Sequence, residues 1–143
     1  MIVDDKDKEL LALLSVDGRA STAELARRLH LSRSTVKDRI ERLQKRGIIN
    51  GFTVRFSESY AQGQIKAHVM ISTDPKKSAE VVRALHRIAN LKSLYAVNGI
   101  YDMIAVISAE STQVLDETLD LIGNTDGVDK TVSSIILSTK IDR

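Results

Sequence analysis

The sequence predicts an α+β protein of two domains: three short helices with a β-ribbon, then a unit in the order β-α-β-β-α-β. Three observations predict it. Apolar residues recur at spacings of three and four along residues 4–46, the mark of helices with one buried face. From residue 64 onward, strand-like runs alternate with helical ones, and a polar stretch without period, 57–63, separates the two patterns. Charge divides at the same place. The 143 residues carry 21 basic and 19 acidic side chains, a formal +2, yet residues 1–56 hold 12 basic against 8 acidic groups and residues 57–143 hold 9 against 11. The domains are therefore set at 1–56 and 64–143, with 57–63 as linker.

Taken in order, the first helix starts at Asp4 or Asp5 as N-cap, places Asp7 where the helix dipole favours it, buries Leu10, Leu11 and Leu14, and stops at Asp17-Gly18. Ser21-Thr22-Ala23-Glu24 fits a capping box, in which the serine caps Glu24 N–H and Glu24 reaches back. A short helix runs to about Leu29, with Leu25 and Leu29 inward and Ala26 small enough for close approach. Leu31-Ser32 interrupts it. Ser32 then caps a helix over 33–46 that buries Val36, Ile40 and Leu43. Gly47 suits the left-handed position past a helix end, and Ile48-Ile49, Asn50-Gly51 and 52–56 read as strand, turn and strand.

In the second domain strands are expected over 65–73, 91–97, 101–109 and 128–138, with turns at Asn98-Gly99 and Asp126-Gly127. Helices are expected from Pro75 to about Ala89, with Val81, Val82, Leu85 and Ile88 on one face, and from Thr112 to Gly123, with Val114, Leu115, Thr118, Leu119 and Ile122 inward. This order is the split βαβ, ferredoxin-like arrangement, with both helices on one face of an antiparallel sheet. The run Met103-Ile104-Ala105-Val106-Ile107 is apolar on both sides, and two helices cover only one of them. A second copy is the simplest cover, so a homodimer through this domain is expected.

Composition narrows the function. No apolar run reaches the ~20 residues of a membrane helix, and the start Met1-Ile2-Val3-Asp4-Asp5 turns acidic where a secretory leader turns apolar; a cytoplasmic protein without membrane partners is expected. With no cysteine, and with His30, His68 and His86 scattered, disulfides, thiolate zinc sites and cysteine nucleophiles fall away; no metal or cofactor is expected, and no enzyme activity.

The basic excess is local, a net +6 over residues 27–46. Two short helices joined by a tight turn, the second entered at a serine cap, have the geometry of a helix-turn-helix whose second helix lies in the DNA major groove. With Val36, Ile40 and Leu43 inward, Arg33, Ser34, Thr35, Lys37 and Asp38 lie on the exposed first turns, offering donors for guanine, a carboxylate for cytosine N4, and hydroxyls that serve either way. Arg27, Arg28, Arg42, Lys45, Arg46 and Arg55 suit phosphates. Arg39 sits beside the buried stripe, where it either joins them or pairs with an acid inside the domain. Helices and ribbon together make a winged helix-turn-helix, and the predicted partner is double-stranded DNA.

Five segments in order carry a resemblance that spans essentially the whole chain: Val3 to Leu11, Asp17-Gly18-Arg19, Leu31 to Ile40, Gly47 to Phe52, and Val97-Asn98-Gly99-Ile100-Tyr101-Asp102. They resemble the Lrp/AsnC (feast/famine) transcriptional regulators. The resemblance implies a sequence-specific regulator that dimerises through its ferredoxin-like domain, often assembles as an octamer of four dimers, and binds an amino acid or similar small effector between dimers. Gly99, Tyr101 and Asp102 match the effector segment, and Asn98 stands where the family usually has Thr. Two other readings compete: a DNA-compacting architectural protein, and an enzyme resembling the siroheme decarboxylases, which share this architecture.

Overall fold

A computed structural model describes residues 3–143; Met1-Ile2, part of the acidic start, lie outside the described residues. The chain divides into two units, Met1–Arg55 and Phe56–Arg143.

The first unit is built from α1 (Asp5–Val16), α2 (Thr22–Leu29) and α3 (Arg33–Lys45). Each starts at a side-chain cap: Asp4, Ser21 and Ser32 accept the N–H of Asp7, Glu24 and Thr35 at 2.8, 3.1 and 3.2 Å. Each cap satisfies one amide that the helix itself leaves without a partner. The core is a single cluster of Leu10, Leu25, Ala26, Leu29, Val36 and Leu43, with Leu11, Leu14 and Ile40 half-buried at its edge. Full burial of each leucine contributes roughly 1.5–3 kcal/mol.

The β-ribbon expected over 48–56 does not form. The amides of Ile48 and Ile49 both donate to Leu43 O, at 2.9 and 3.1 Å, closing the end of α3 behind Gly47, whose φ is +72°. Their side chains then pack on the helical core, so neither residue is left to start a ladder. Residues 51–56 carry no strand, and Phe52, Val54 and Phe56 are exposed.

In the second unit β1 (Ile65–Thr73), α4 (Ser78–His86), β2 (Leu91–Ala96), β3 (Met103–Ala109), α5 (Thr112–Gly123) and β4 (Val128–Ile135) follow in the expected order. The sheet runs β2-β3-β1-β4, antiparallel throughout. Alternation decides its faces. Ala67, Val69, Ile71, Met103, Ala105 and Ile107 are buried against Val81, Leu85, Leu115 and Ile122 of the helices. The buried Thr118 hydroxyl donates to Val114 O at 2.8 Å and accepts from Asn90 Nδ2, so a polar core group is satisfied.

Several elements are shorter than expected. Pro75–Lys77 forms a 3-10 turn capped by Asp74, and α4 ends at His86 rather than near Ala89. Strand β3 starts at Met103; just before it Asp102 donates its N–H to Ile71 O (2.9 Å) and turns its carboxylate onto Thr73 N–H (2.8 Å). Strand β4 ends at Ile135; Ile136 N–H donates to Lys66 O at 2.8 Å, and the tail then leaves the sheet, tied by Thr139 N–H to Glu58 (3.0 Å).

Among the described residues no helix covers the other face of the sheet. Register places Tyr95, Ile104, Met70 and Val132 in one row across all four strands, and Ser93, Val106, His68 and Ser134 in the next. Ile104, Val106 and Met70 are half-buried, whereas Tyr95 and Val132 are 55% and 41% exposed.

Candidate nucleic-acid interface and hairpin site

The turn between α2 and α3 rests on His30, which takes the left-handed conformation (φ 56°, ψ 42°) at the end of α2. Histidine is among the few residues besides glycine enriched there. Leu31 N–H then donates to Ala26 O (3.0 Å), and Ser32 opens α3. A turn this tight presents the start of α3 to solvent.

On α3, Arg33, Ser34, Lys37, Asp38, Arg42 and Lys45 are exposed and Thr35 is half-buried. The two hydroxyls are not idle: Ser32 Oγ lies 3.2 Å from Ser34 Oγ and 2.7 Å from Thr35 Oγ1. Among the described residues no ion pair engages Arg33, Lys37, Arg42 or Lys45, so these cations face water.

Arg27 and Arg28 are different. Glu24 holds both, through Arg28 Nε at 3.0 Å and through Arg27 Nη2. The Glu24 carboxyl is held below its usual range, chiefly by the Arg28 hydrogen bond. Its N–H is capped by Ser21 as expected, but its carboxylate serves the arginines instead of reaching back to close the box.

Arg39 takes the inward alternative. Its Nη1 contacts Asp4 Oδ2 at 2.8 Å and Asp7 Oδ1 at 2.9 Å, fastening α3 to the start of α1. These hydrogen bonds raise the Arg39 pKa, and the Asp4 carboxyl is lowered first by Arg39 and then by the Asp7 N–H. Lys6 adds a bond to Leu29 O at 2.8 Å.

In the second unit the β2–β3 hairpin is closed by Val97 N–H donating to Asp102 O at 2.9 Å. Gly99 has φ +119°, which a side chain tolerates poorly, although no neighbouring atom crowds the position. Asn98 and Gly99 are exposed, Tyr101 is half-buried, and Ile100 stands 90% exposed at the tip. Asp102 Oδ2 is spent on Thr73 N–H, while its other oxygen meets no donor among the described residues. One oxygen thus fixes the carboxylate. A cavity of about 410 Å³ lies elsewhere, between Phe56, Glu58 and Lys66 and the tail residues Ile136 and Thr139, and shares no lining residue with the hairpin.

Sequence reasoning assembled the exposed cations of α3 and the hairpin residues. It missed the Glu24 pairing and the Asp102–Thr73 bond. For Glu24 the signal was present, since Arg27 and Arg28 stand three and four residues on; the Thr73 contact joins segments 29 residues apart and leaves no local trace.

A basic helix-turn-helix joined to a ferredoxin-like unit with a glycine-tipped hairpin defines the class: a DNA-binding regulator with a ligand-binding domain. Residues 3–50 match the family described as winged helix-turn-helix DNA-binding, and residues 66–143 match the Lrp/AsnC ligand binding domain. The chain belongs to the Lrp/AsnC family of transcriptional regulators. It is 32% identical to the HTH-type transcriptional regulator LrpA of Pyrococcus horikoshii over 95% of this chain and 97% of the relative. Among solved structures it is similar to the feast or famine regulatory protein from M. tuberculosis complexed with L-methionine, at TM-score 0.87 and 33% identity over 99% of this chain and 96% of that one. E. coli AsnC, 23% identical at TM-score 0.87 over 100% and 97%, shares the fold. Among the described residues no helix is long and apolar enough to cross a membrane.

Proposed function

We propose that this regulator reads a specific operator through the first turns of α3, with Arg33, Ser34, Thr35, Lys37 and Asp38 toward the bases and Arg27, Arg28, Arg42, Lys45 and Arg55 toward phosphates. The observation that carries the reading is the unpaired state of Arg33 and Lys37 beside the exposed Asp38, since major-groove recognition needs free donors and an acceptor on one short surface. Glu24 tempers Arg27 and Arg28, which must exchange a carboxylate for phosphates on binding.

The protein acts as a homodimer, formed by the row Tyr95–Ile104–Met70–Val132 against the same row of a second copy. Two recognition helices then read half-sites about 10 base pairs or a multiple apart. An amino acid is the effector, held at Asn98, Gly99, Tyr101 and Asp102. The free Asp102 oxygen suits an ammonium group, and the glycine turn exposes backbone donors for a carboxylate. L-Methionine in the M. tuberculosis relative supports that ligand class.

Binding to the protein's own promoter region, compared with random DNA at one salt concentration, tests the operator reading. Specific sites are typically ~10³–10⁷ tighter. Equal affinities would favour the architectural reading instead.

A further inference from the structure

The start of α1 touches both helices of the helix-turn-helix. Lys6 Nζ donates to Leu29 O, at the last residue of α2, at 2.8 Å. Asp4 and Asp7 hold Arg39 in the middle of α3, where Nη1 reaches Asp4 Oδ1 and Oδ2 at 2.9 and 2.8 Å and Asp7 Oδ1 at 2.9 Å. Residues 4–7 thus fix the end of one helix and the centre of the next, and only residues 30–32 join the two helices directly. The leucine core beneath them is attractive without being directional. Charge-assisted hydrogen bonds are directional, so these contacts select one angle between α2 and α3.

Stability alone is a poor account of the cluster. The Arg39 and Asp7 side chains are 16% and 13% exposed, so both give up much of their hydration. Arg39 Nε is buried and meets no acceptor among the described residues. A well-packed apolar pair in such a place is often as stable or more so. What an apolar pair lacks is direction. The shielded contact is also screened less by salt than the exposed pairs of Glu24, so it holds while contacts to phosphates form and break.

We infer that Asp4, Lys6, Asp7 and Arg39 are positioning residues for sequence discrimination, a brace that sets the pitch of α3 in the groove without touching a base; this rests on the reading of α3 proposed above. Hydrogen bonds from Arg33, Lys37 and Asp38 to base edges tolerate little rotation of the helix. Attraction to phosphates tolerates much more. Loss of the brace therefore costs discrimination and spares sequence-independent affinity.

Titration of the full chain against its own promoter region and against a random-sequence duplex tests the brace. In Asp4→Asn with Asp7→Asn each side chain keeps an acceptor and loses its charge. If charge alone acted, removing two carboxylates from a DNA-binding unit would raise affinity for every duplex. The brace gives opposite signs: affinity for the random duplex equal or higher, and affinity for the promoter at least about tenfold lower, the scale of one base contact. Lys6→Met breaks the other arm and leaves no buried charge behind. It should weaken the promoter more than the random duplex, whereas a Lys6 that contacted phosphate would weaken both alike and lower the salt slope by about one.

A third variant, Asp7→Leu with Arg39→Met, exchanges the buried pair for an apolar one. It should melt near the wild-type temperature and still discriminate less well, and it decides the matter if circular dichroism shows the asparagine variant to be unfolded. A discriminating wild type whose folded variants discriminate equally well, or whose two affinities move together, overturns the inference alone. A wild type that binds both duplexes equally removes the operator reading, and the brace with it.

Discussion

No side chain fits at Gly127. Its φ is +95°, and a Cβ there would stand 2.8 Å from Lys77 Cβ and from Val81 Cγ2. Gly127→Ala is expected to cost about 1–3 kcal/mol by overpacking, on top of roughly 1 kcal/mol of backbone strain, measured by urea unfolding. The Asp126-Gly127 turn was legible in the sequence, but the approach of α4 was not, because the contact spans some 50 residues. Arg39 was half legible: its place beside the buried stripe allowed an inward pair, and only the fold brings Asp4 and Asp7 beneath it. Arg39→Ala leaves the buried Asp7 carboxylate without its partner and should cost roughly 1–3 kcal/mol. The pH dependence follows from Asp4, whose folded pKa is depressed by Arg39. Its contribution is fully present above the unfolded value of about 3.9 and is lost as pH falls through the lower folded value. Asp4→Asn should therefore flatten the acid limb of the stability curve, read as melting temperature between about pH 5 and 2.

At the scale of elements, the helices were legible because caps and period agree. Asp4, Ser21 and Ser32 were each readable as caps, and all three accept the N–H three residues on; Ser111 does the same at the start of α5. The ribbon failed because strand propensity at Ile48 and Ile49 lost to the closing turn of α3, which takes their amides and buries their side chains. The division of labour proposed along α3 gives a paired prediction in footprinting and titration. Lys37→Ala should cost about 1–3 kcal/mol at the operator and relax one base position, whereas Lys45→Ala should weaken all sequences alike and reduce the salt slope by about one. Unchanged footprints with Lys37→Ala would place base reading elsewhere.

For the whole molecule, the doubly apolar β3 run carried the expectation of a face covered by a second copy, and the register names the other residues of that face. Met70 and Val132 belong to strands whose pairing no local pattern reveals. Met70→Asp places a charge in the centre of that row and should convert the proposed dimer into a chain sedimenting near 15.8 kDa. The proposed effector site at the hairpin rests, in the sequence, on a motif alone. What the structure adds is that Asp102 is anchored by one oxygen, so charge and anchoring can be separated: Asp102→Asn keeps an acceptor for Thr73 N–H and removes the counter-charge. Thermal melting of the wild type and Asp102→Asn against each of the twenty amino acids is the most direct test of ligand control. At 100 times its dissociation constant, at least one amino acid should stabilise the wild type by about 2.7 kcal/mol and leave Asp102→Asn nearly unmoved; no response to any of the twenty, or an undiminished response in Asp102→Asn, would contradict the account.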